Sequence, residues 1–289
     1  MSEIEPHVAS NFIDGVFFGE APRWHEGRLW FSDFYANGVF SVDEQGERRR
    51  EVEYDGQTSG LGWLPDGDLL VVSMLDHRVL RHHGGTLVPY ADLSPWATGH
   101  ANDMVVGATG HAYVGNFGFD LDGWRAGTAE IRTTSLVHLD PDGSASTAAE
   151  NLAFPNGTVL FPDGKTLVIA ETFSACLSAF DVAQDGTLSN RRVWAPLESC
   201  APDGICLDAE GAVWVANALS PECIRVAEGG RVLDRVVTEQ PCFACMLGGA
   251  DRSTLYAMVA PSSEATEVRG APKGGIAAAR VAVPGAGLP

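Results

Sequence analysis

Glu20, Asn102, Asn156 and Asp203 each stand seven or eight positions before a glycine-containing turn, centred on Gly27, Gly110, Gly164 and Gly211, and each turn leads into a short apolar strand. Two carboxylates and two carboxamides at one recurring position form an all-oxygen set. Such a set suits a hard divalent ion: Ca²⁺ is the leading expectation, with Mg²⁺, Mn²⁺ or Zn²⁺ as alternatives. Two carboxylates balance a 2+ charge, and four protein ligands leave positions for water and substrate, the open arrangement of a catalytic ion. His100, two residues before Asn102, is placed to donate to a substrate oxygen or to shuttle a proton. Phe117, Phe119 and Trp124 would make one wall of the site apolar, and His77 lies in the corresponding loop of the preceding repeat.

The elements that must position these residues are repeats. Six turn-plus-strand units recur, with strands at Leu29–Phe31, Leu69–Val72, Ala112–Val114, Leu167–Ile169, Val213–Val215 and Leu255–Ala257. Their spacing of roughly 40 to 54 residues is that of β-propeller blades. No segment holds a helical period over ten residues, so the reading is an all-β, six-bladed β-propeller in one domain, 1–289. Inner strands are expected to begin near Glu20, Ser59, Asn102, Asn156, Asp203 and Cys245. Equivalent positions in radially arranged blades form a ring, so the four oxygen-bearing residues should converge at one mouth of the central channel. Pro-Asp-Gly at 202–204 precedes its inner strand, unlike the same tripeptide at 65–67, 141–143 and 162–164, where it makes hairpin turns. Ring closure points to the apolar segments Phe12–Phe18 and Gly275–Val283, the first as an outer strand of the sixth blade. Two long stretches, Gly118–Thr134 and Pro261–Lys273, follow second strands and should rise over the mouth. Asp33, Asn116, Glu171 and Asn217 end second strands there, either as loop polarity or as a tier behind the ligands.

Composition narrows the partners. Asp plus Glu number 38 against 19 Lys plus Arg, a net charge of −19 that repels nucleic acid and anionic membrane surfaces. Neither a signal-like start nor a bilayer-length apolar run is found, which leads to the expectation of a cytoplasmic protein acting on a small-molecule substrate. Oligomeric state is not readable from the sequence. Six cysteines are then expected to be reduced, and Cys242-Phe243-Ala244-Cys245 reads as core packing because no second pair stands at zinc-ribbon spacing. The remaining histidines, His82 and His83 among them, show no ligand spacing. A G-x-S-x-G turn, a phosphate loop and a dinucleotide fingerprint are all missing.

Phe18-Gly19-Glu20-Ala21-Pro22, Asn102-Asp103, Asn156-Gly157 and the run Pro202 to Ala216 resemble the senescence marker protein/gluconolactonase/luciferin-regenerating-enzyme family over about residues 15–260. The resemblance implies a six-bladed propeller and a divalent metal held by Glu20, Asn156 and Asp203. It implies further that Asn102 binds the ion or the substrate beside it, and that Asp203 is the general acid/base of a lactone hydrolase. Sugar-lactone members carry an arginine and a glutamate where this chain has His100 and Phe119, so the metal chemistry transfers better than the polyol substrate. A phosphotriesterase-like hydrolase and a non-catalytic metal- or ligand-binding propeller are the competing readings.

Overall fold

The computed structural model describes residues 4–287, so the ends of the 1–289 span lie outside the described residues. Six antiparallel sheets follow one another along the chain, each led by an inner strand: Gly19–His25, Thr58–Trp63, Ala101–Val106, Pro155–Leu160, Pro202–Leu207 and Cys242–Gly248. Consecutive inner strands pack against each other and the last packs against the first, which makes the six-bladed propeller ring. Closure is by the N-terminal segment. Ser10–Val16 pairs antiparallel with Gly274–Arg280 as the outer strand of blade 6, as the apolar pattern predicts. One addition was not foreseen: His7–Val8 pairs parallel with Val232–Val237, so the same segment also extends blade 5. Both pairings cover an edge that would otherwise be open.

The packing between blades is apolar. The largest cluster joins blades 5, 6 and 1 through Trp24, Phe31, Trp214, Met246 and Tyr256, and it contains Cys206, Cys223, Cys242 and Cys245. Cys242 and Cys245 are thus core residues.

All six inner strands carry the same irregularity. Their pairing with the second strand slips by one residue near the start: between Glu20 and Arg23, Thr58 and Leu61, Ala101 and Met104, Pro155 and Thr158, Pro202 and Ile205, and Cys242 and Ala244. A bulge of this kind leaves a residue unpaired and re-aims its side chain. It is the local reason that one residue per blade turns away from the sheet toward the channel.

Neighbouring inner strands approach too closely for side chains at the next position. A Cβ on Gly157 would lie 2.5 Å from the Asp203 carbonyl oxygen and 2.7 Å from the Gly204 Cα; one on Gly204 would lie 2.6 Å from the Ala244 Cα. These contacts fix the sixth register position. It is Phe243, not Cys245, because the blade 6 turn is reached late, with Arg252 at φ +56° where other blades use glycine. Counting back from that turn therefore overshoots the ring.

Candidate active site

The four oxygen-bearing residues come together at one end of the channel. Asn102 Nδ2 donates to the Pro155 carbonyl (3.0 Å), the residue before Asn156. The Asn156 side chain lies near enough to Asp203 to lower its pKa and donates to Thr172 Oγ1 (3.3 Å), whose hydroxyl donates to the Pro202 carbonyl (2.7 Å). Asp203 in turn faces Glu20 closely enough for the two charges to repel. All four are buried. Ser59 and Phe243 complete the ring.

Burial drives the electrostatics. Desolvation, then repulsion from Asp203 and Asp103, pushes the Glu20 carboxyl well above the usual carboxylate range; desolvation, then Asp103, does the same to Asp203. Arg23 offsets this only in part for Glu20. Arg23, buried beneath, gives one nitrogen to Asp103 Oδ1 (2.8 Å) and to the Met104 carbonyl (2.6 Å), so its charge is committed to Asp103. Asn102 Oδ1 is buried and accepts no hydrogen bond, an expensive state for an amide oxygen. Two repelling carboxylates and an orphaned acceptor at the same register position of the ring fit a bound divalent cation: it would balance the charge and satisfy the oxygen.

The second-strand ends have a specific job that the sequence left undecided. Asp33 accepts from the Phe17 and Phe18 N–H groups (3.0 and 3.2 Å), Glu171 from the Ala153 N–H (2.9 Å), and Asn217 from the Ala201 N–H (3.2 Å). Each bond grips the backbone just before Glu20, Asn156 or Asp203. Asn116 instead accepts from Gly118 N–H (3.0 Å) and Thr134 Oγ1 (2.8 Å), anchoring the base of the blade 3 insertion. All four are buried, and they act as clamps on the segments that deliver the ring residues.

The two long insertions meet. Arg125, at the end of the short helix Leu121–Arg125 in blade 3, donates to Ser263 Oγ (2.6 Å) and to its carbonyl (3.3 Å) in the blade 6 insertion. Blades 3 and 6 stand opposite each other in a ring of six, so this contact bridges the mouth. On the blade 6 side Val268 packs with Phe18, Phe243 and Ala260, with Phe34 and Tyr35 alongside. On the other side lies an aromatic wall. Phe117 stacks on Phe154 (4.4 Å between centroids), and Phe119 meets Phe173 edge-on (5.3 Å), with Trp124 beyond. Phe154 and Phe173 were not picked out from the sequence; both sit within a few residues of ring elements, Phe154 at φ +61° just ahead of Asn156. Phe119 is 4% exposed and sits inside this wall, so the partly exposed Phe117 and Phe173 offer the free aromatic surface.

His100 keeps an exposed edge while its ring leans on Phe117 (5.6 Å between centroids). Desolvation and the neighbouring His77 lower its pKa, which favours the neutral imidazole at neutral pH. A cleft of about 750 Å³ lies under the blade 3 insertion, lined by Thr98, Phe119, Asp120, Thr128 and Arg132, and includes none of the ring residues. Among the described residues no helix is long and apolar enough to cross a membrane.

Comparison with known proteins agrees with this architecture. Residues 18–260 match the family described as SMP-30/Gluconolactonase/LRE-like region. Among curated proteins, the regucalcin of Gallus gallus is 27% identical, covering 84% of this chain and 83% of its own length. The pentonolactonase XacC of Haloferax volcanii is also 27% identical, over 84% of this chain and 81% of its own. Among solved structures, a calcium-binding protein, regucalcin, from Agrobacterium tumefaciens superposes with a TM-score of 0.83 at 19% identity, over 100% of this chain and 99% of that one. A gluconolactonase from Xanthomonas campestris superposes at 0.73 and 22% identity, over 96% and 89%. At these identities the structural likeness speaks for the fold.

Proposed function

Because the chain belongs to the SMP-30/gluconolactonase/LRE-like family, we propose that it is a lactonase-type hydrolase that depends on a divalent metal held at the propeller mouth by Glu20, Asn102, Asn156 and Asp203. The observation that carries this reading is the convergence of two buried, mutually repelling carboxylates with the unpartnered Asn102 Oδ1. Relatives named for pentonolactone and gluconolactone hydrolysis, and one named as calcium-binding, support it. A divalent ion there, Ca²⁺ first, would polarise the substrate carbonyl and stabilise the developing oxyanion.

The chain's own residues supply the rest. Asp203 accepts a proton from the attacking water and returns one to the ring oxygen as it leaves, so that lactone and water become the hydroxy acid. The Asn156 side chain orients that carboxylate. Glu20 contributes charge and affinity for the ion. Neutral His100 donates an N–H to a substrate oxygen, while Phe117 and Phe173 pack against an apolar face. The bridged insertions keep bulk water out of the mouth.

The test is hydrolysis of a lactone panel by protein stripped with a chelator and then resupplied with Ca²⁺, Zn²⁺, Mg²⁺ or Mn²⁺. Activity should vanish on stripping and return with the preferred ion. Failure of every ion to bind, or full activity without one, would remove the reading.

A further inference from the structure

Blade 3 departs from blade 2 at three matching positions on the end opposite the mouth. In blade 2, Leu70 pairs with Arg81, and in blade 3 Tyr113 pairs with His138, which aligns Arg81 with His138, Asp68 with His111, and His83 with Asp140. Blade 2 uses the three as a charge cluster: Arg81 Nε lies 2.5 Å and His83 Nδ1 2.7 Å from Asp68 Oδ2. That satisfies a hairpin-turn carboxylate with a guanidinium and an imidazole. Blade 3 places two imidazoles and one carboxylate at the same positions, and the imidazoles face each other with His111 Nδ1 3.0 Å from His138 Nε2. Asp140 Oδ1 is 3.5 Å from His111 Nδ1, and one atom of each residue falls within 4.8 Å of the others.

We infer that His111 Nδ1, His138 Nε2 and the Asp140 carboxylate form a binding site for a borderline transition-metal dication of the Zn²⁺ type. Tetrahedral Zn²⁺ with bonds near 2.0 to 2.1 Å separates its ligand atoms by roughly 3.3 Å, close to the two spacings at His111 (3.0 and 3.5 Å), while the His138 and Asp140 atoms, within 4.8 Å, must draw together on binding. Two imidazoles and a carboxylate are a donor set that selects Zn²⁺, Cu²⁺ or Ni²⁺ over Ca²⁺. Gly186 of blade 4, at φ +80°, packs its backbone against the two nitrogens: a Cβ there would collide with His138 Nε2 and lie 2.9 Å from His111 Nδ1, so only glycine leaves any space beside them. Ser146 Oγ is 3.5 Å from the other ring nitrogen of His138, and Tyr113 stacks on the same ring at 5.4 Å, so the imidazole is held from behind. Asp185, in the same turn as Gly186, adds negative charge nearby.

The ligands come from three pieces of one blade: a hairpin turn, the third strand and the turn that follows it. An ion there would tie them together where the blade 4 turn packs against them, and would raise stability by mass action. The site is independent of the mouth, which offers oxygen alone.

The experiment is a Zn²⁺ titration of the full-length protein in excess Ca²⁺, by equilibrium dialysis with metal quantification, on the wild type and on His111→Ala and Asp140→Asn. One Zn²⁺ should bind despite Ca²⁺, with its affinity falling by at least about tenfold in His111→Ala and less in Asp140→Asn. Co²⁺ should give an intense tetrahedral absorption band that His111→Ala abolishes. His138 is the more deeply buried ring, so its removal risks the fold; His111, at the rim, does not. Absence of Zn²⁺ binding in Ca²⁺, or unchanged binding in His111→Ala, would overturn the assignment. Lactone hydrolysis plays no part in the readout, so this site and the mouth can fail separately.

Discussion

The two ends of the propeller treat acidic residues in opposite ways. Opposite the mouth, turn carboxylates are answered by arginines from neighbouring strands: Arg81 holds Asp66 and Asp68, Arg225 holds Asp208 and Glu210, and Arg280 holds Asp251. Asp251 is consequently held well below the usual carboxylate range, its Arg280 hydrogen bond being the main cause. At the mouth, Glu20 and Asp203 are buried facing each other while Arg23 is engaged by Asp103. One end uses carboxylates to finish turns. The other buries carboxyls whose ionisation is unfavourable until a cation arrives.

The largest expected effect of breaking that difference is on turnover. Asp203→Asn keeps the shape of the ring but removes the proton carrier, and hydrolysis should fall by at least ~10²-fold. An equivalent change at the other end, Asp251→Asn, should leave kcat near wild type. Steady-state kinetics on both variants separates the two ends directly.

Substrate choice comes next. The mouth walls are aromatic, and a polyol meeting Phe117 and Phe173 would leave hydroxyls without partners, at about 1 to 3 kcal/mol each. Aryl or alkyl lactones should therefore exceed glucono-δ-lactone in kcat/KM by roughly one to two orders of magnitude. A tenfold preference for the aldonolactone would show that the insertions supply polar contacts unaccounted for in the aromatic wall.

The buried carboxyls also predict a crossing in stability. A carboxyl whose folded pKa is raised ionises earlier in the unfolded chain, so its stabilising contribution is complete below the unfolded value and is lost as pH rises through the folded one. Without divalent ions the protein should thus melt lower as pH climbs from about 4 toward neutrality. Glu20→Gln should flatten that decline and stabilise the ion-free protein at pH 7 by on the order of 1 kcal/mol. With saturating Ca²⁺ the order should reverse, because the variant binds the ion more weakly. Thermal melts of both proteins with chelator and with Ca²⁺ give all four values.

The smallest effect is expected from the clamps. Asn217→Ala frees the Ala201 N–H and loosens the approach to Asp203. A stability loss of about 1 to 2 kcal/mol is expected, with a few-fold drop in kcat and metal affinity little changed. A metal-affinity loss as large as that of Glu20→Ala would mean that Asn217 contributes to the ion's site itself.

How much of this was legible in the sequence depended on distance along the chain. Glu20, Asn102, Asn156 and Asp203 could be aligned because a glycine turn follows each at nearly constant spacing, and turn chemistry is local. Phe243 was missed because blade 6 closes its hairpin late, with Arg252 in a left-handed conformation, which moves the count. The bulges that aim the ring residues inward leave only a partial mark: the next position is glycine at Gly60, Gly157 and Gly204, but Ala21, Asp103 and Ala244 in the other blades. His111 and His138 stand at no ligand spacing along the chain, because they meet across adjacent strands and a turn. The clamps Asp33, Glu171 and Asn217 were seen as polar strand ends, but their partners are backbone N–H groups ahead of the ring, which only the fold brings near.

The central claim is that the buried carboxylates at the mouth hold a divalent ion on which hydrolysis depends. The most direct measurement is a Ca²⁺ titration of chelator-stripped protein that records bound ion and aryl-lactone hydrolysis in the same samples, for the wild type and Glu20→Ala. The account predicts that wild-type activity rises in proportion to a single bound equivalent, and that Glu20→Ala follows the same line only at much higher Ca²⁺. Stripped protein that hydrolyses the lactone at the full rate, or bound Ca²⁺ that leaves the rate unchanged, would contradict it.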